Sequence, residues 1–556
     1  MTIEDVNPQS VNRQSPIVNR KWTWALIAVL AVSALVVGLL VPPAPQPVDT
    51  AGWNEIAART IPGAYHVHTT RSDGHGDKHD VAVAAARAGL KFVILTDHGD
   101  ATRPPDPPEY IDGVLCLDAV EISTDQGHLV ALDMPRAPYP LGGAADAVVE
   151  DVHRLGGFAI AAHPDSPRPA LRWTDTEAPI DGLEWLNADS EWRKDSRSRL
   201  IRAGLGYFFR PGPALASLMD RPATLARWDA LAARRPIVGL AAVDAHGGVG
   251  QRSEDVSRSV AGTIGIPAYQ ASFRTLSNRV ILDAPPTGDA ARDARAIYDA
   301  IRKGSVFTTI DALASPGLLD LRADGNTVVA HAARPRGSEL DLFHAGSTVS
   351  ASNGDLREAA TSPGPYRVEV HLAHAPGDPP IPWLVSNFVY VGAAVPSNSG
   401  SSGTGSAAVP GSIAPFPWRI EKDAASSAIL RTREFSVELE YQLAPGSRNS
   451  QFVALASDVR DESFTAIRLG LQADRPSRVW VQVRSRVGRR WGRTYYVDPA
   501  GTELLVRLAD LRSMEEGQVG APDPRSLSSI LLVIDLTNAA PGKSGRLTVL
   551  SSALVK

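Results

Sequence analysis

The sequence predicts a multidomain chain: an N-terminal membrane-spanning helix, an α/β domain closed like a barrel, and two all-β sandwich domains. Three observations carry this. The 556 residues exceed what one core organises, and the length alone suggests three or four domains. Over residues 61–312 short apolar runs alternate with helical stretches, which implies a parallel sheet, and so many repeats imply closure. From about Leu318 the helical stretches give way to short strands separated by turn residues.

Taken in order, residues 1–21 read as a cytoplasmic tail. Trp22–Val41 holds no charge and is long enough for a bilayer core of roughly 30 Å. Arg13, Arg20 and Lys21 precede this run and Asp49 is the first charge after it, so the positive-inside bias puts everything beyond Val41 outside the cytoplasm. A cleaved signal peptide competes with this reading, but its apolar region is only about 7–15 residues. The longer run, followed by Pro42-Pro43-Ala44-Pro45, favours an uncleaved signal anchor over 22–41. Residues 42–60 then read as a stiff, proline-rich spacer.

Within 61–312 the expected strands are Ala64–Val67, Phe92–Leu95, Val114–Ile122, Leu129–Leu132, Phe158–Ala162, Leu183–Leu186 and Ile237–Val243. Asp80–Gly89, Ala144–Leu155 and Ala223–Arg234 read as helices between them. Residues 313–393 form a small immunoglobulin-like β module, with strands at Leu318–Leu321, Thr327–Ala330, Tyr366–Leu372 and Phe388–Tyr390. Residues 394–412 are a Gly/Ser linker. Residues 413–556 read as a jelly-roll-like sandwich, since the alternation of Phe435–Tyr441 buries one face and wets the other.

Composition narrows the function. The chain is 44% hydrophobic and 21% charged with a net charge of −5, which argues against general nucleic-acid binding. Cys116 stands alone, so no intrachain disulfide exists.

The chemistry-bearing residues gather at strand ends. His66 and His68 alternate along an extended run, which puts both imidazoles on one face. Asp73 follows in Ser72-Asp73-Gly74. Phe92–Leu95 runs into Thr96-Asp97-His98, and the Val114–Val120 run delivers Glu121, with His128 close behind. Phe158–Ala162 delivers His163, and Ile237–Val243 delivers Asp244 and His246. In a parallel barrel these ends converge on one mouth. Six histidines, two aspartates and a glutamate gathered there call for cations to balance them.

This series of motifs, in this order over residues 61–312, resembles the polymerase and histidinol phosphatase (PHP) superfamily. The resemblance implies a distorted (β/α)7-type barrel holding two or three divalent metals, zinc, manganese or iron, and metal-dependent hydrolysis of phosphoesters. Position by position it implies a first metal on His66, His68, Glu121 and Asp244. Glu121 would bridge to a second on His128 and His163, and Asp73, His98 and His246 would hold a third. Cations sharing Glu121 would lower the pKa of water toward roughly 7 and polarise a phosphoryl group. Glu121, Asp244 and His163 are thus the expected catalytic residues, and the expected function is a membrane-anchored, extracytoplasmic phosphoesterase acting on a monoester or diester.

Other residues read more plainly. Asp97 is expected to orient a ligand as an outer-sphere partner. His75 and His79 face solvent, and His153 is structural. Glu191, Trp192 and Arg193 sit on a mouth-side loop, where Arg193 could meet a phosphate. His331, His344, His371 and His374 have no ligand-like spacing. In the last domain Arg475, Arg478, Arg484, Arg486, Arg489, Arg490 and Arg493 interleave with Trp480, Trp491, Tyr495 and Tyr496. Such a stripe can stack sugars or grip an anionic polymer, but strand alternation alone explains it as core and wet faces. The competing function is accordingly a surface glycan-binding protein on a non-catalytic, metal-stabilised barrel. Hydrolysis of an amide or lactone is a third reading. No specific nucleic-acid partner is expected.

Overall fold

The structure is a computed structural model, described over residues 17–248, 267–392, 416–448, 450–460, 463–515 and 520–556. The Gly/Ser linker over 394–412 and most of the 1–21 tail lie outside the described residues.

A helix, α1, spans Ile17–Leu40. The expected transmembrane helix over 22–41 is not found: among the described residues no helix is long and apolar enough to cross a membrane. Nor does the proline-rich segment stand free. Gln46–Pro47 pairs in parallel with Ala314–Ser315, and the Arg210 guanidinium donates to the Pro42 carbonyl at 2.5 Å.

The expected fold class is corrected in helical weight as well, because the chain is mostly β and only 20% helical. Among the described residues, eight strands form the ring around the site: β1 (Thr60–Val67), β2 (Phe92–Leu95), β3 (Val114–Asp118), β4 (Val120–Thr124), β5 (Gly127–Leu132), β6 (Phe158–Ala161), β7 (Gly182–Asn187) and β8 (Val238–Ala242). β1, β2 and β3 pair in parallel, as do β6, β7 and β8. β4 and β5 are antiparallel to each other, and β5 to β6. The regular β/α repeat is broken there because a tight turn at Asp125-Gln126-Gly127 leaves no room for a crossover helix. Two single bridges close the ring, His98 to Glu121 and Val67 to Ala245.

Where the ring opens, amide side chains stand in for backbone. Asn278 on β9 (Ser277–Ile281) accepts from the Ala241 N–H at 3.0 Å and donates to its carbonyl at 2.7 Å. Asn387 does the same for Gly239. β10 (Val306–Thr309) pairs with β9 on one edge and with Leu384–Ser386 on the other, so the ring's outer sheet runs on into the following β segment. A buried ion network locks that junction. Arg367, fully buried, donates to both oxygens of Asp229 at 2.7 and 2.8 Å and to Glu369 at 2.5 Å. Burial resists ionisation of Glu369, but His371, Arg221 and Arg367 hold its carboxyl well below the usual range.

The last segment is a sandwich of a six-stranded and a five-stranded sheet. Several of its arginines have partners. Arg478, 3% exposed, donates to Asp151 at 2.6 Å on helix α2 (Ala145–Arg154) of the ring domain. Arg493 and Arg512 reach Asp146, and Arg154 lies 3.5 Å over the Tyr496 ring. Arg484 pairs with Glu421 inside the sandwich.

Candidate metal centre

The nine residues singled out in sequence meet at one mouth of the ring. Glu121 is the hub. Burial raises the cost of its charge, yet His66, His128 and His163 hold its carboxyl well below the usual range. His128 Nδ1 and His163 Nε2 lie 2.7 and 2.8 Å from Oε1. His98 Nδ1, His66 Nε2 and His68 Nε2 lie 3.1, 3.3 and 3.4 Å from Oε2. Asp244 Oδ1 sits 3.3 Å from His68 and 3.6 Å from His66. Asp73 reaches His246 at 3.3 Å, His68 at 3.5 Å and His98 at 3.7 Å.

The donor atoms form five overlapping groups that can hold a metal ion: His66/His68/Glu121, His66/His163/Asp244, His68/Asp73/His98, His68/Asp244/His246 and His98/Glu121/His128. The donors are imidazoles and carboxylates without thiolate, a set that suits zinc, manganese or iron. His66 Nε2 is buried and has no hydrogen-bond partner, and it faces Glu121 and Asp244. An orphaned imidazole nitrogen aimed between two carboxylates is what a metal ligand requires, so the residues fit the group.

Local backbone builds the convergence. His66 does not reach His68 by simple pleating: the β1–β2 register slips between Tyr65 and Val67, and His66 takes φ +67°. The two rings still come within 5.1 Å. His163 (φ +32°) and Asp244 (φ +45°) are likewise left-handed, which is rare for residues with a Cβ. Three of the donors thus carry backbone strain, a signature of functional sites. Gly74 and Gly127 allow the turns beside the site. A Cβ on Gly74 would stand 2.3 Å from the His68 carbonyl oxygen, and one on Gly127 (φ +111°) 2.4 Å from that of Arg172.

Outer partners set each ring. Glu184 lies 2.5 Å from His66 Nδ1, and a carboxylate only accepts, so Nδ1 carries the proton and Nε2 faces inward. Glu184 also accepts from the His163 backbone N–H at 2.8 Å and from Asn187, which in turn bonds Asp244 at 3.1 Å. His163 Nδ1 donates to the Leu171 carbonyl and His246 Nδ1 to that of Asp244, both at 3.0 Å. Asp97 accepts from Thr69 N–H, Thr69 Oγ1 and Ser72 Oγ, all at 2.7 Å, and so pins the loop that carries Asp73. Burial opposes charge on His163 and His246, but Glu121 and Asp73 respectively raise each to about 9. Burial and the neighbouring histidines lower His68.

Glu184 and Asn187 were not singled out in sequence. The signal was there, since Glu184 is the one charge in the apolar run Gly182–Leu186. His75 and His79 are exposed. His153 pairs with Asp181 at 2.7 Å. Glu191 turns inward to Lys194 and the Asp220 N–H. Arg193 is held by Asp189 and stacks on Trp192, and all three line the pocket over the donors.

No family model matches the chain. An alignment of 139 positions, covering 22% of this chain, is 28% identical to an uncharacterised protein of Methanocaldococcus jannaschii and covers 80% of that protein. Among solved structures, a two-domain protein containing a predicted PHP-like metal-dependent phosphoesterase, from Bacteroides vulgatus, is similar over 62% of this chain and 98% of its own. That similarity comes at 12% identity and a TM-score of 0.27. A family 11 carbohydrate-binding module from Clostridium thermocellum, in complex with a mixed-linked tetrasaccharide, is similar over 25% of this chain and 88% of its own. Identity there is 14% and the TM-score 0.20. At these scores neither likeness carries an argument about activity.

Proposed function

We propose that the chain is a metal-dependent hydrolase of phosphoesters. The observation that carries this is the meeting of Glu121, fully enclosed, with five imidazoles from four separate stretches of the ring. His66, His68, His98, His128, His163, His246, Asp73, Glu121 and Asp244 would hold the cations. Bound divalent ions supply Lewis acidity toward phosphoryl oxygens and make water acidic near neutral pH.

The chain's own residues do the rest. Glu184 keeps the His66 proton on Nδ1, and Leu171 and Asp244 carbonyls do so for His163 and His246, so each presents Nε2 to the centre. Asn187 steadies Asp244 through Oδ2, leaving Oδ1 toward the imidazoles. Arg168 and Arg193 line the same pocket and offer positive charge to a phosphate.

The test is metal analysis of the purified protein with a panel of phosphomonoesters and diesters under Mn²⁺, Zn²⁺ or Fe²⁺. Turnover is expected to depend on added metal, and Asp244→Asn, which replaces a charged donor to the cations by a neutral one, is expected to cost more than the roughly 10–100-fold that loss of an outer partner costs. Absence of bound metal and of turnover under every ion would overturn the reading.

A further inference from the structure

Two of the donors hang on a single carbonyl. The Leu171 oxygen accepts from the His163 ring Nδ1 at 3.0 Å and from the His128 backbone N–H at 3.3 Å. Leu171 lies in the loop over residues 162–181, which holds neither helix nor strand, so its place depends on what grips the loop. Part of that grip is Gln126, the middle of the turn that returns β4 into β5. Its carbonyl accepts from the Thr174 N–H at 2.8 Å, and its side-chain oxygen accepts from the Ala145 N–H, at the start of α2, at 2.7 Å. Loop, turn and helix start thus form one clamp behind His128 and His163.

The sandwich reaches that clamp from outside. Arg512 stands on the sandwich edge, where Arg512–Ser513 pairs with Trp491–Gly492. Its guanidinium lies 3.2 Å from Asp146 on the first turn of α2 and 3.5 Å from Asp175 in the loop. Asp175 Oδ1 is occupied by the Glu177 and Ala178 N–H groups, both at 2.9 Å, while Oδ2 is buried without a hydrogen bond. Arg227 is the other cation close enough to feel Asp175, and it donates to the Trp173 and Asp175 carbonyls. Asn538, also of the sandwich, donates to the Pro140 carbonyl at 2.9 Å, three residues before Gly143, whose own carbonyl takes the Asp125 N–H at 2.8 Å. Arg512 is half exposed, and such ion pairs add little to global stability. Its planar fork, however, spans two carboxylates in a geometry that a lysine ammonium does not reproduce.

We infer that Arg512 is a positioning residue of the metal centre: by tying α2 to the loop at Asp175 it sets His128 and His163 around Glu121. The sandwich is then a working part of that centre, not only a domain beside it. This inference rests on the metal-dependent reading above and concerns the cation shared by Glu121, His128 and His163.

The experiment uses the full chain, and its first arm needs no metal. Hydrogen exchange is followed in peptides holding the His128 and Thr174 amides, in the unaltered chain and in Arg512→Gln. Both amides are expected to exchange about two- to fivefold faster in the variant, the local opening that loss of a weak ion pair allows. Arg484→Gln, which breaks a pair inside the sandwich, is expected to leave them unchanged. In the second arm Zn²⁺ is titrated in competition with a chromophoric chelator. One bound ion is expected to weaken about tenfold in Arg512→Gln, the low end for an outer partner of a ligating histidine, with the others unmoved. Arg512→Lys is expected to recover part of that loss. Unchanged exchange, or unchanged Zn²⁺ affinity in a chain that binds the ion, overturns the inference and leaves the hydrolase reading standing. All ions weakening together with a lowered melting temperature also overturns it, because the sandwich then only stabilises the fold. Failure of the unaltered chain to bind any metal sinks the hydrolase reading and this inference with it.

Discussion

Glu184 shows how much of the centre lies one step behind the donors. It contacts no donor oxygen, yet it fixes the His66 tautomer, ties the His163 backbone and, through Asn187, steadies Asp244. Glu184→Gln keeps the shape but offers an amide where a carboxylate polarised the ring. Metal affinity is expected to fall about 10–100-fold, the usual range for outer partners of a ligating histidine, as measured by competition with a chromophoric chelator. An unchanged affinity would show that the bulge at His66 suffices without it. At this scale the donors were legible in sequence because a strand end followed by His, Asp or Glu is a local pattern. Glu184 was not singled out, because its partners lie 118 and 21 residues away in the chain.

At the scale of elements, turns place these side chains as much as strands do. β4 and β5 return on themselves through Gly127, which brings His128 back beside Glu121. That turn needs φ +111°, and a Cβ there would stand 2.4 Å from the Arg172 carbonyl oxygen. Gly127→Ala is expected to cost about 2–4 kcal/mol, from the left-handed backbone and the displaced carbonyl together, and to weaken metal binding with it. Chemical denaturation and metal titration on the same variant check both, and a loss under about 1 kcal/mol would mean that the turn tolerates a Cβ. The antiparallel pairs around β5 also explain why a uniform β/α repeat did not materialise. Periodicity shows that a segment is a buried strand, but not which way its neighbour runs.

Across the whole molecule, part of the arginine stripe turns out to be a joint. Arg478 seemed part of an exposed arginine–aromatic stripe. It is instead buried against Asp151, with Arg493 and Arg512 beside it on Asp146. Arg478→Met would take one buried cation from Asp151, which keeps Arg154 and the Tyr139 hydroxyl, each at 2.7 Å. The expected cost is about 3 kcal/mol, at the low end for breaking a buried pair, and calorimetry should show the sandwich melting apart from the ring. The double variant Arg478→Met/Asp151→Leu is expected to recover part of that loss. A single unshifted transition in Arg478→Met would show that the joint adds nothing to stability. The ring and the β segment after it are coupled in the same way, through Arg367 on Asp229.

The residue types, their order and their places at strand ends were determined by sequence alone, because hydrophobic runs and the polar residues that stop them are local facts. The chain could not announce that Asp125-Gln126-Gly127 reverses the ring, that Glu184 stands behind His66, or that Arg478 faces another domain. The last two depend on groups far apart in sequence being brought within 3 Å of one another. Only the closing of the ring and the docking of the sandwich decide which charges are buried together, and burial is what turns a list of polar residues into a candidate metal centre on one side and a structural joint on the other.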